Sequence, residues 1–479
     1  MSRRAVVIGA GLCGALAAAA LSPTVDEVIV LDRDELPDGP QHRRGIPQGR
    51  HAHLLMPGGL AAMEDLVPGV SVRKHLLAAG AHEISLSSGM VVLTPEGWFR
   101  RWRHEDHHLI TCSRALLDWA VVSAVVDSTA NIEIRTAKAV ELIGDAGRVH
   151  GVRIETPLET TGLDADIVVD ASGRGSRIVT WLAQLGITDV HEKQIDSGLV
   201  NATRIYRTPA GAERFPLTMV QANPYMSLPG RSGVIVPIEG NRWMVSLGGS
   251  RGGEPPANPD DFVRYALDLP HPIVGRLVSA AEPLTDVFVS RSTSNVRRYL
   301  ERIRDWPDGL VVLGDALATF NPAYGQGMSV AALGARTLGR EVRGADPTAP
   351  GLARRVQRAA AKSVDAAWSM AVSQDVLYPE VRGAQPTFVD RLAARYTRRL
   401  TKAATGSYGA ASALWDVTGL KAGPTRLLRP GTVASTLTGS PLPPLSGPPL
   451  TAQEREFLRT LEDTSPSSSH GGEPPAETV

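Results

Sequence analysis

The chain has 479 residues, of which 43% are apolar and 21% are charged, and 50 Lys and Arg residues balance 50 Asp and Glu residues. This length suffices for two or three domains, and the balanced charge argues against a nucleic-acid partner or a charge-driven membrane anchor. The longest apolar runs fall short of the roughly 20 residues of a transmembrane span. Two cysteines make no disulfide framework, so we expect a cytoplasmic protein.

The first 32 residues are predicted to form a βαβ unit. Val6 to Ile8 form a β-branched strand, Leu12 to Leu21 an alanine-rich helix, and Glu27 to Asp32 a second strand. The sequence "GAGLCG" lies between the first strand and the helix. This order of elements favours a glycine-rich nucleotide-binding turn over a secretory signal peptide.

The glycines of this turn have distinct expected uses. Gly9, Gly11 and Gly14 allow a tight turn, close approach of the backbone to a pyrophosphate, and close packing of the helix on the strand. Asp32 is suited to the ribose hydroxyls of an adenosine. Arg33 is either solvated or placed for a 2′-phosphate. The motif predicts a dinucleotide site without identifying the dinucleotide.

Two later apolar runs, at 165–169 and 310–313, are typical of strands in a parallel sheet. Residues 233–249 instead alternate around Gly240-Asn241, which predicts a β-hairpin. We therefore predict an α/β fold, α+β overall, with a Rossmann-like nucleotide-binding domain, an inserted antiparallel β-sheet substrate domain and a C-terminal helical region.

The predicted division of the chain follows from these patterns. The discontinuous nucleotide-binding domain comprises 1–75, 105–193 and 285–345, the substrate-binding β-sheet domain 76–104 and 194–284, the helical region 346–462, and a disordered tail 463–479. Helix starts are indicated by Thr387 with Asp390 and by Thr451 with Glu454.

Several motifs together resemble one enzyme family. Gly9-x-Gly11-x-x-Gly14, the Asp170 strand exit and Gly314-Asp315 have the order and approximate spacing of FAD-dependent monooxygenases with the p-hydroxybenzoate hydroxylase fold. The stretches "HRRGIPQGRHAHLL" and "FNPAYGQGMSVAAL" look like actinobacterial flavin epoxidases of polyether polyketide pathways, which are distantly related to squalene epoxidase.

The resemblance implies a flavoprotein oxidoreductase that binds FAD, uses O2, and takes electrons from NAD(P)H directly or through a separate flavin reductase. The implied reaction transfers oxygen through a flavin C4a-hydroperoxide to a hydrophobic small molecule. Epoxidation of an alkene in a polyketide or terpenoid intermediate, as in antibiotic biosynthesis, is preferred, and an aromatic or indole hydroxylase is the alternative. An alkene reductase and a non-catalytic FAD-binding protein rank below these. A halogenase is disfavoured because no Trp-x-Trp-x-Ile-Pro signature occurs.

The resemblance also implies contacts along the cofactor. Arg50 and Arg114 would meet the phosphates or the ribityl chain, since the guanidinium fork matches a phosphate. Asp170 and Gly314 mark the strand exits that line the cofactor. Asp315 would accept a hydrogen bond from a ribityl hydroxyl, a use for an otherwise costly buried carboxylate.

The same segment is expected to surround the flavin ring. Gly325, Gly327 and Met328 would offer backbone N–H groups to the pyrimidine edge, above a helix whose positive end favours negative charge. Pro322 would line the face where oxygen reacts. Pro322, Gly325 and Gly327 are therefore the catalytic environment, with no acid–base residue and no metal assigned.

Other residues are candidates for contact with the substrate. Trp98, Tyr206 and Met226 are predicted to wall a hydrophobic cavity, with ordinary core packing as the alternative. His51 and His53 lie in the "PQGRHAH" loop and either face the flavin or support the loop.

Overall fold

A computed structural model describes residues 2–291 and 293–464. The strands are β1 Arg4–Ile8, β2 Glu27–Asp32, β3 Leu54–Leu55, β4 His82–Ser85, β5 Met90–Thr94, β6 Gly97–Trp98, β7 His108–Thr111, β8 Ile132–Thr136, β9 Lys138–Gly144, β10 Val149–Glu155, β11 Thr160–Asp164, β12 Ile167–Asp170, β13 Glu192–Ile195, β14 Val200–Arg207, β15 Leu217–Val220, β16 Arg231–Ile238, β17 Arg242–Gly249, β18 Phe288–Ser290, β19 Asn295–Arg298, β20 Leu310–Val312 and β21 Ala318–Thr319. The α-helices are α1 Leu12–Leu21, α2 Pro57–Leu66, α3 Val72–Ala78, α4 Arg114–Asp127, α5 Ile178–Gln184, α6 Pro259–Leu267, α7 Ile273–Ser279, α8 Gly327–Val342, α9 Leu352–Asp375, α10 Phe388–Ala404, α11 Tyr408–Thr418, α12 Pro430–Thr438 and α13 Ala452–Thr464.

A parallel sheet of five strands, in the order β20-β12-β1-β2-β8, carries the N-terminal turn. In its register Ile8 lies beside both Leu31 and Asp170, and Asp170 lies beside Val312. The central strands are apolar and fully buried, as expected for a sheet with both faces covered. The predicted α/β fold with a Rossmann-like sheet is confirmed.

A second sheet of seven strands has the order β18-β14-β17-β16-β15-β5-β6. The hairpin β16-β17 turns at Gly240 and Asn241, both with positive φ, which confirms the predicted hairpin. The pairing of β5 with β15 is parallel, because β5 arrives from a separate segment of the chain. Strand β18 also joins this sheet, which therefore extends past the predicted boundary at residue 284. Smaller sheets are β11-β10-β9, β13-β19-β21 and β3-β7-β4.

The two faces of the seven-stranded sheet have different neighbours. Trp243, Val245 and Leu247 of β17 pack in a cluster with α6 and α7, which we call the helix-covered face. Met244, between them, belongs to a cluster with β3 and β7 on the opposite side, which we call the inner face. Because side chains alternate along a strand, each residue of this sheet is assigned to one face only.

The C-terminal region begins with α9, which packs against α8 and β20. The predicted capping box at Thr387 and Asp390 is present at the start of α10. Helix α13 returns to the seven-stranded sheet, where Glu454 accepts two hydrogen bonds from Arg101 (2.7 and 2.8 Å). The predicted tail started at residue 463, but α13 continues to Thr464, and residues 465–479 lie outside the described residues.

Candidate active site

The carboxyl edge of the parallel sheet gathers the residues that the sequence separates. Because β1, β2, β12 and β20 are parallel and in register, their ends bring Gly9, Asp32, Asp170 and Gly314 to one side. Ligands of open α/β sheets bind at this edge. The predicted nucleotide residues from three distant segments therefore face a common region.

The glycine turn leaves space at one position and none at two others. A Cβ on Gly9, whose φ is +99°, would lie 2.7 Å from the Ala171 carbonyl oxygen, and one on Gly14 would lie 1.7 Å from the Gly9 carbonyl oxygen. A Cβ on Gly11 would meet no atom within 4 Å. Gly9 and Gly14 thus permit close packing, whereas Gly11 borders open space before the α1 N-terminus.

Arg43 completes this end of the site and was not identified from the sequence. It donates to the Asp32 carboxylate through Nη2 (2.7 Å) and to the Ala10 carbonyl through Nη1 (2.8 Å). Asp32 also accepts from the Ala10 backbone N–H (2.8 Å). Arg33, by contrast, is 67% exposed and lies 3.7 Å from Asp34. The "HRRG" stretch was the available signal, but the sequence could not say which arginine turns inward.

A cavity of about 220 Å³ lies beside this pair, between the loop after β2 and helix α4. Arg43 is one of its lining residues, together with Asp118 and Trp119 of α4. The Nε of Arg43 is buried and has no hydrogen-bond partner among the described residues. The guanidinium therefore retains donor capacity at the edge of the cavity.

Asp170 accepts hydrogen bonds from the loop that follows it. Its Oδ1 accepts from the Ser172 N–H (3.0 Å) and hydroxyl (2.5 Å), and its Oδ2 accepts from the Ser176 hydroxyl (2.6 Å). The side chain is fully buried, and this burial raises its pKa. Asp170 thus holds the loop after β12, which also packs against Gly9, and its direct contact with a cofactor stays a prediction.

Asp315 has the opposite environment. It is half-buried, and its carboxylate has no hydrogen-bond partner among the described residues. Burial raises its pKa, while the guanidinium groups of Arg114 and Arg174 oppose that rise. Gly314 before it has φ +61°, and a Cβ there would lie 2.8 Å from the Cys13 sulfur. Asp315 thus presents an acceptor that lacks a donor within residues 2–291 and 293–464.

The two predicted arginines lie in different surroundings. Arg114 is the first residue of α4, where its Nε contacts the Asp118 carboxylate (2.7 Å) in a largely buried ion pair. Arg50 is exposed, and its guanidinium lies over the Phe288 ring, 4.6 Å from the centroid. Arg114 therefore lies close enough to Asp315 for its charge to act on that carboxylate, whereas Arg50 lies toward the seven-stranded sheet.

The segment before α8 forms a short turn above the sheet edge. The Asn321 side chain accepts from the Ala323 N–H (3.0 Å), Pro322 is exposed, and Gly325 has φ +65°. The first bond of the α8 ladder runs from the Val330 N–H to the Gln326 carbonyl. The N–H groups of residues 327–329 consequently have no helical acceptor and are available at a helix N-terminus.

The inner face of the seven-stranded sheet meets this turn. The inner face carries an apolar layer, which is formed by Ala52, Leu54, Met56, Ile84, Leu86, Met90, Leu109, Ile205, Leu217, Met219, Val234, Val236, Ile238 and Met244. A Cβ on Gly325 would lie 3.4 Å from the Met56 methyl group, so the turn and the layer are adjacent.

A polar chain crosses the same face. His51 Nδ1 hydrogen-bonds the Thr203 hydroxyl (2.8 Å), which hydrogen-bonds the Ser246 hydroxyl (2.5 Å). His53 Nδ1 donates to the His51 carbonyl oxygen (2.7 Å). Burial lowers the pKa of His51 to about 4 and, with the nearby Arg114 charge, that of His53 to about 3. Both imidazoles are neutral at pH 7.

The three predicted substrate residues are not brought together. Trp98 and Tyr206 lie in the core of the helix-covered face, where Tyr206 packs near Phe262 and Trp98 contacts the edge of His271. Met226 is 60% exposed. Strand alternation turns Tyr206 away from the inner face, where its neighbour Ile205 lies. Contact of these three residues with a substrate stays a prediction.

Within residues 2–291 and 293–464 every helix is too short or too polar to cross a membrane. The same ranges contain no group of three or more His, Cys, Asp or Glu side chains arranged to hold a metal ion.

Solved structures share this architecture. The flavin-dependent brominase Bmp2 has a TM-score of 0.61 at 15% identity, over 91% of this chain and 98% of Bmp2. PqsL, a probable FAD-dependent monooxygenase from Pseudomonas aeruginosa, has a TM-score of 0.56 at 17% identity, over 78% of this chain and 96% of PqsL. The fold is therefore that of the FAD-dependent monooxygenases and flavin-dependent halogenases.

Sequence comparison identifies relatives, although no protein-family model matches the chain. Kynurenine 3-monooxygenase of Salinispora tropica is 26% identical over 341 residues, 68% of this chain and 70% of that protein. Protein Rv3254 of Mycobacterium tuberculosis is 31% identical over 388 residues, 78% of this chain and 80% of that protein. The chain belongs to the same family as Protein Rv3254, with the fold of FAD-dependent monooxygenases.

Proposed function

We propose that the protein is an FAD-dependent monooxygenase that acts on a hydrophobic substrate. The observation that carries this proposal is the half-buried Asp315 carboxylate, which has no donor among the described residues and lies next to the α8 N-terminus. The residues present fit FAD: Gly11 leaves space for a pyrophosphate, Asp315 offers an acceptor to a polyol, and α8 offers backbone donors.

Each part of the chain has a defined task in this proposal. Asp32 and Arg43 hold the adenosine end, and Asp315 with Arg114 holds the ribityl chain. The backbone N–H groups of Gly327 and Met328 would donate to the pyrimidine edge, while Pro322 would shape the face beside it. The Gly325 N–H instead donates to the Pro322 carbonyl (3.1 Å) and closes the turn. FAD, when bound and reduced, reacts with O2 and supplies an electrophilic oxygen atom.

The apolar layer supports a hydrophobic substrate. It adjoins the turn that contains Gly325, so a hydrophobic substrate bound along this layer would lie next to that turn. Apolar side chains bind such a molecule through burial of its surface and exclude water from the reacting face. Binding and orientation are therefore the main contributions of the protein to the reaction.

Epoxidation of an alkene in a polyketide or terpenoid intermediate is the preferred reaction. An alkene accepts oxygen without prior loss of a proton, whereas a phenol gains from a base that ionises it. His51 adjoins the apolar layer, but with a pKa of about 4 it is a weak base at neutral pH. This environment favours the alkene. By analogy with the narrower sequence resemblance, we place the enzyme in antibiotic-type secondary metabolism.

An aromatic or indole hydroxylase is the second candidate. The His51–Thr203–Ser246 chain favours it, because these groups could hydrogen-bond a substrate hydroxyl or indole N–H. A relative named kynurenine 3-monooxygenase, at 26% identity, is consistent with either oxygenation.

A labelled-oxygen experiment tests the function and separates the candidates. The full-length protein is loaded with FAD, reduced by NADPH or NADH, alone or with a flavin reductase, and given 18O2 with two probes. One probe is a linear terpenoid triene ester, and the other is a phenol carrying an alkyl chain of equal length. We expect one labelled oxygen in an epoxide of the triene. Labelled catechol alone would make the protein a hydroxylase, and a brominated phenol in the presence of bromide would make it a halogenase. Absence of O2 uptake by the reduced protein would overturn the monooxygenase proposal.

A further inference from the structure

A buried carboxylate outside the predicted site residues lies at the end of α9. Asp375 is the last residue of this helix and is 1% exposed. A buried carboxylate is unfavourable unless donors satisfy it, and burial raises its pKa while the surrounding donors oppose that rise. The identity of those donors therefore indicates why the chain retains a carboxylate at this position.

The donors come from the turn before α8 and its support. Asn321 Nδ2 donates to both carboxylate oxygens (3.0 and 3.1 Å), and the Tyr324 hydroxyl donates to Oδ1 (2.7 Å). Asn295 Nδ2 donates to Oδ2 (2.6 Å). Asn321 and Tyr324 flank Pro322 and Ala323, so one carboxylate fixes both sides of this pair.

A second layer of contacts fixes the backbone of the same turn. The Asn321 N–H donates to the Asn295 side-chain oxygen (2.7 Å), and the Asn321 side-chain oxygen accepts from the Ala323 N–H (3.0 Å). Asn321 is itself buried. Asp375 therefore acts on a residue whose two amide atoms and backbone N–H are all engaged.

Another carboxylate on α9 shows the contrast. Asp365 is 62% exposed and pairs with Arg297, which lies outside the turn. A helix that only needed attachment to the rest of the protein could use contacts of this kind. Asp375 instead accepts hydrogen bonds from Asn321 and Tyr324 of the turn and from Asn295, whose side-chain oxygen accepts from the Asn321 N–H. The Ser197 hydroxyl, outside the turn, also donates to this carboxylate.

We infer that Asp375 is a positioning residue that fixes the Asn321–Tyr324 turn, so that α9 determines where Pro322 and Gly325 stand relative to the apolar layer. The inference rests on the proposed function for its catalytic consequence, because that turn would shape the oxygen-reacting face. It also makes the C-terminal helical region part of the active site.

The carboxylate can be altered without a change of size. Asp375→Asn places an amide N–H₂ opposite donors from Asn295 and Asn321, so donors face donors and the turn loses at least one bond. Asp365→Asn on the same helix is the matched control. Tyr324→Phe removes one donor and leaves the carboxylate in place, and it serves if Asp375→Asn fails to fold.

Hydrogen–deuterium exchange on the full-length protein, with and without FAD, measures the turn directly. We expect Asp375→Asn to increase amide exchange in residues 319–328 roughly tenfold, with a smaller increase for Tyr324→Phe and none for Asp365→Asn. Exchange in β1 and α1 should stay unchanged. The inference is overturned if residues 319–328 of Asp375→Asn exchange as in the wild type, or if exchange increases equally throughout the chain. If Asp375→Asn does not fold, unchanged exchange in Tyr324→Phe overturns it instead.

A catalytic measurement separates this inference from the proposed function. In the FAD-loaded, NAD(P)H-reduced protein, Asp375→Asn should raise the hydrogen peroxide released per product formed severalfold, while FAD stays bound and KM changes little. If amide exchange in the turn rises but neither the wild-type protein nor any variant consumes O2, the positioning role of Asp375 is supported and the proposed function fails. If O2 is consumed and the peroxide ratio matches the control, the catalytic part of the inference is wrong.

Discussion

Arg43 and Asp32 form an ion pair across the mouth of the glycine turn, with 2.7 Å between Nη2 and Oδ2 and side-chain exposures of only 10% and 13%. The same guanidinium holds the Ala10 carbonyl. The turn is therefore fixed from the side that faces the ligand, by a residue that follows β2 rather than by the glycine motif.

Replacement of Arg43 tests this arrangement. Arg43→Leu leaves Asp32 without its charged partner, and we expect the free energy of unfolding to fall by about 3 kcal/mol, as for other broken buried pairs. FAD affinity should fall at least roughly tenfold, since the carboxylate is no longer oriented. Arg33→Leu is the control, because Arg33 is mostly exposed. Equal effects of the two changes in denaturant unfolding and FAD titration would contradict the assignment.

Substitution of Asp315 should stabilise the FAD-free protein but weaken its binding of FAD. Asp315→Ala removes a half-buried carboxylate without a donor, so the FAD-free protein should gain about 1 kcal/mol of stability. The same change should abolish stable FAD binding, and Asp315→Asn should retain weak binding through its amide oxygen. Thermal unfolding and flavin absorbance of the purified protein measure both effects. A variant that keeps one FAD per chain would show that Asp315 does not hold the cofactor.

Two glycines of one motif should respond differently to alanine. Gly14→Ala forces a Cβ to 1.7 Å from the Gly9 carbonyl oxygen, and we expect a loss of about 4 kcal/mol or no folded protein. Gly11→Ala meets no protein atom, so the FAD-free protein should unfold as wild type. Added FAD should nevertheless fail to raise its melting temperature, because the methyl group occupies the space for the pyrophosphate. Normal FAD stabilisation of Gly11→Ala would place the ligand elsewhere.

The buried histidines predict instability in mild acid. The pKa of His51 is lowered by burial from 6.5 to about 4, so below pH 6.5 the unfolded chain takes up a proton that the folded chain does not. The contribution of His51 to unfolding free energy is constant above pH 6.5 and falls by about 1.4 kcal/mol per pH unit toward pH 4. His51→Asn should reduce this slope. Chemical denaturation at pH values between 7 and 5, which lie on both sides of the ordinary histidine pKa, measures it. His150→Asn, at an exposed position, should leave the slope unchanged.

Local patterns predicted much of the fold. The βαβ unit, the hairpin at Gly240-Asn241 and the capping box at Thr387 each depend on residues close in sequence, and all three are present. The partners that complete the site are distant instead. Asp375 meets Asn321 across 54 positions, and no local pattern indicates that contact.

The side of the sheet on which Tyr206 lies could not be predicted for a related reason. Tyr206 and its neighbour Ile205 are both apolar enough for burial, and periodicity alone does not tell which of them faces α6 and α7 and which faces the apolar layer. The assignment depends on which side of the sheet is covered by later helices. The serine contacts of Asp170 could not be predicted for a similar reason, because both serines could equally have been exposed.

The contact between Arg101 and Glu454 joins residues 353 positions apart. During synthesis the seven-stranded sheet therefore leaves the ribosome long before α13 is available to cover it. Until then the Phe215 side chain, which later packs near Phe457, stays without that neighbour. A nascent chain of this protein would expose this apolar surface while residues 291–451 are synthesised and would be a natural client for chaperones.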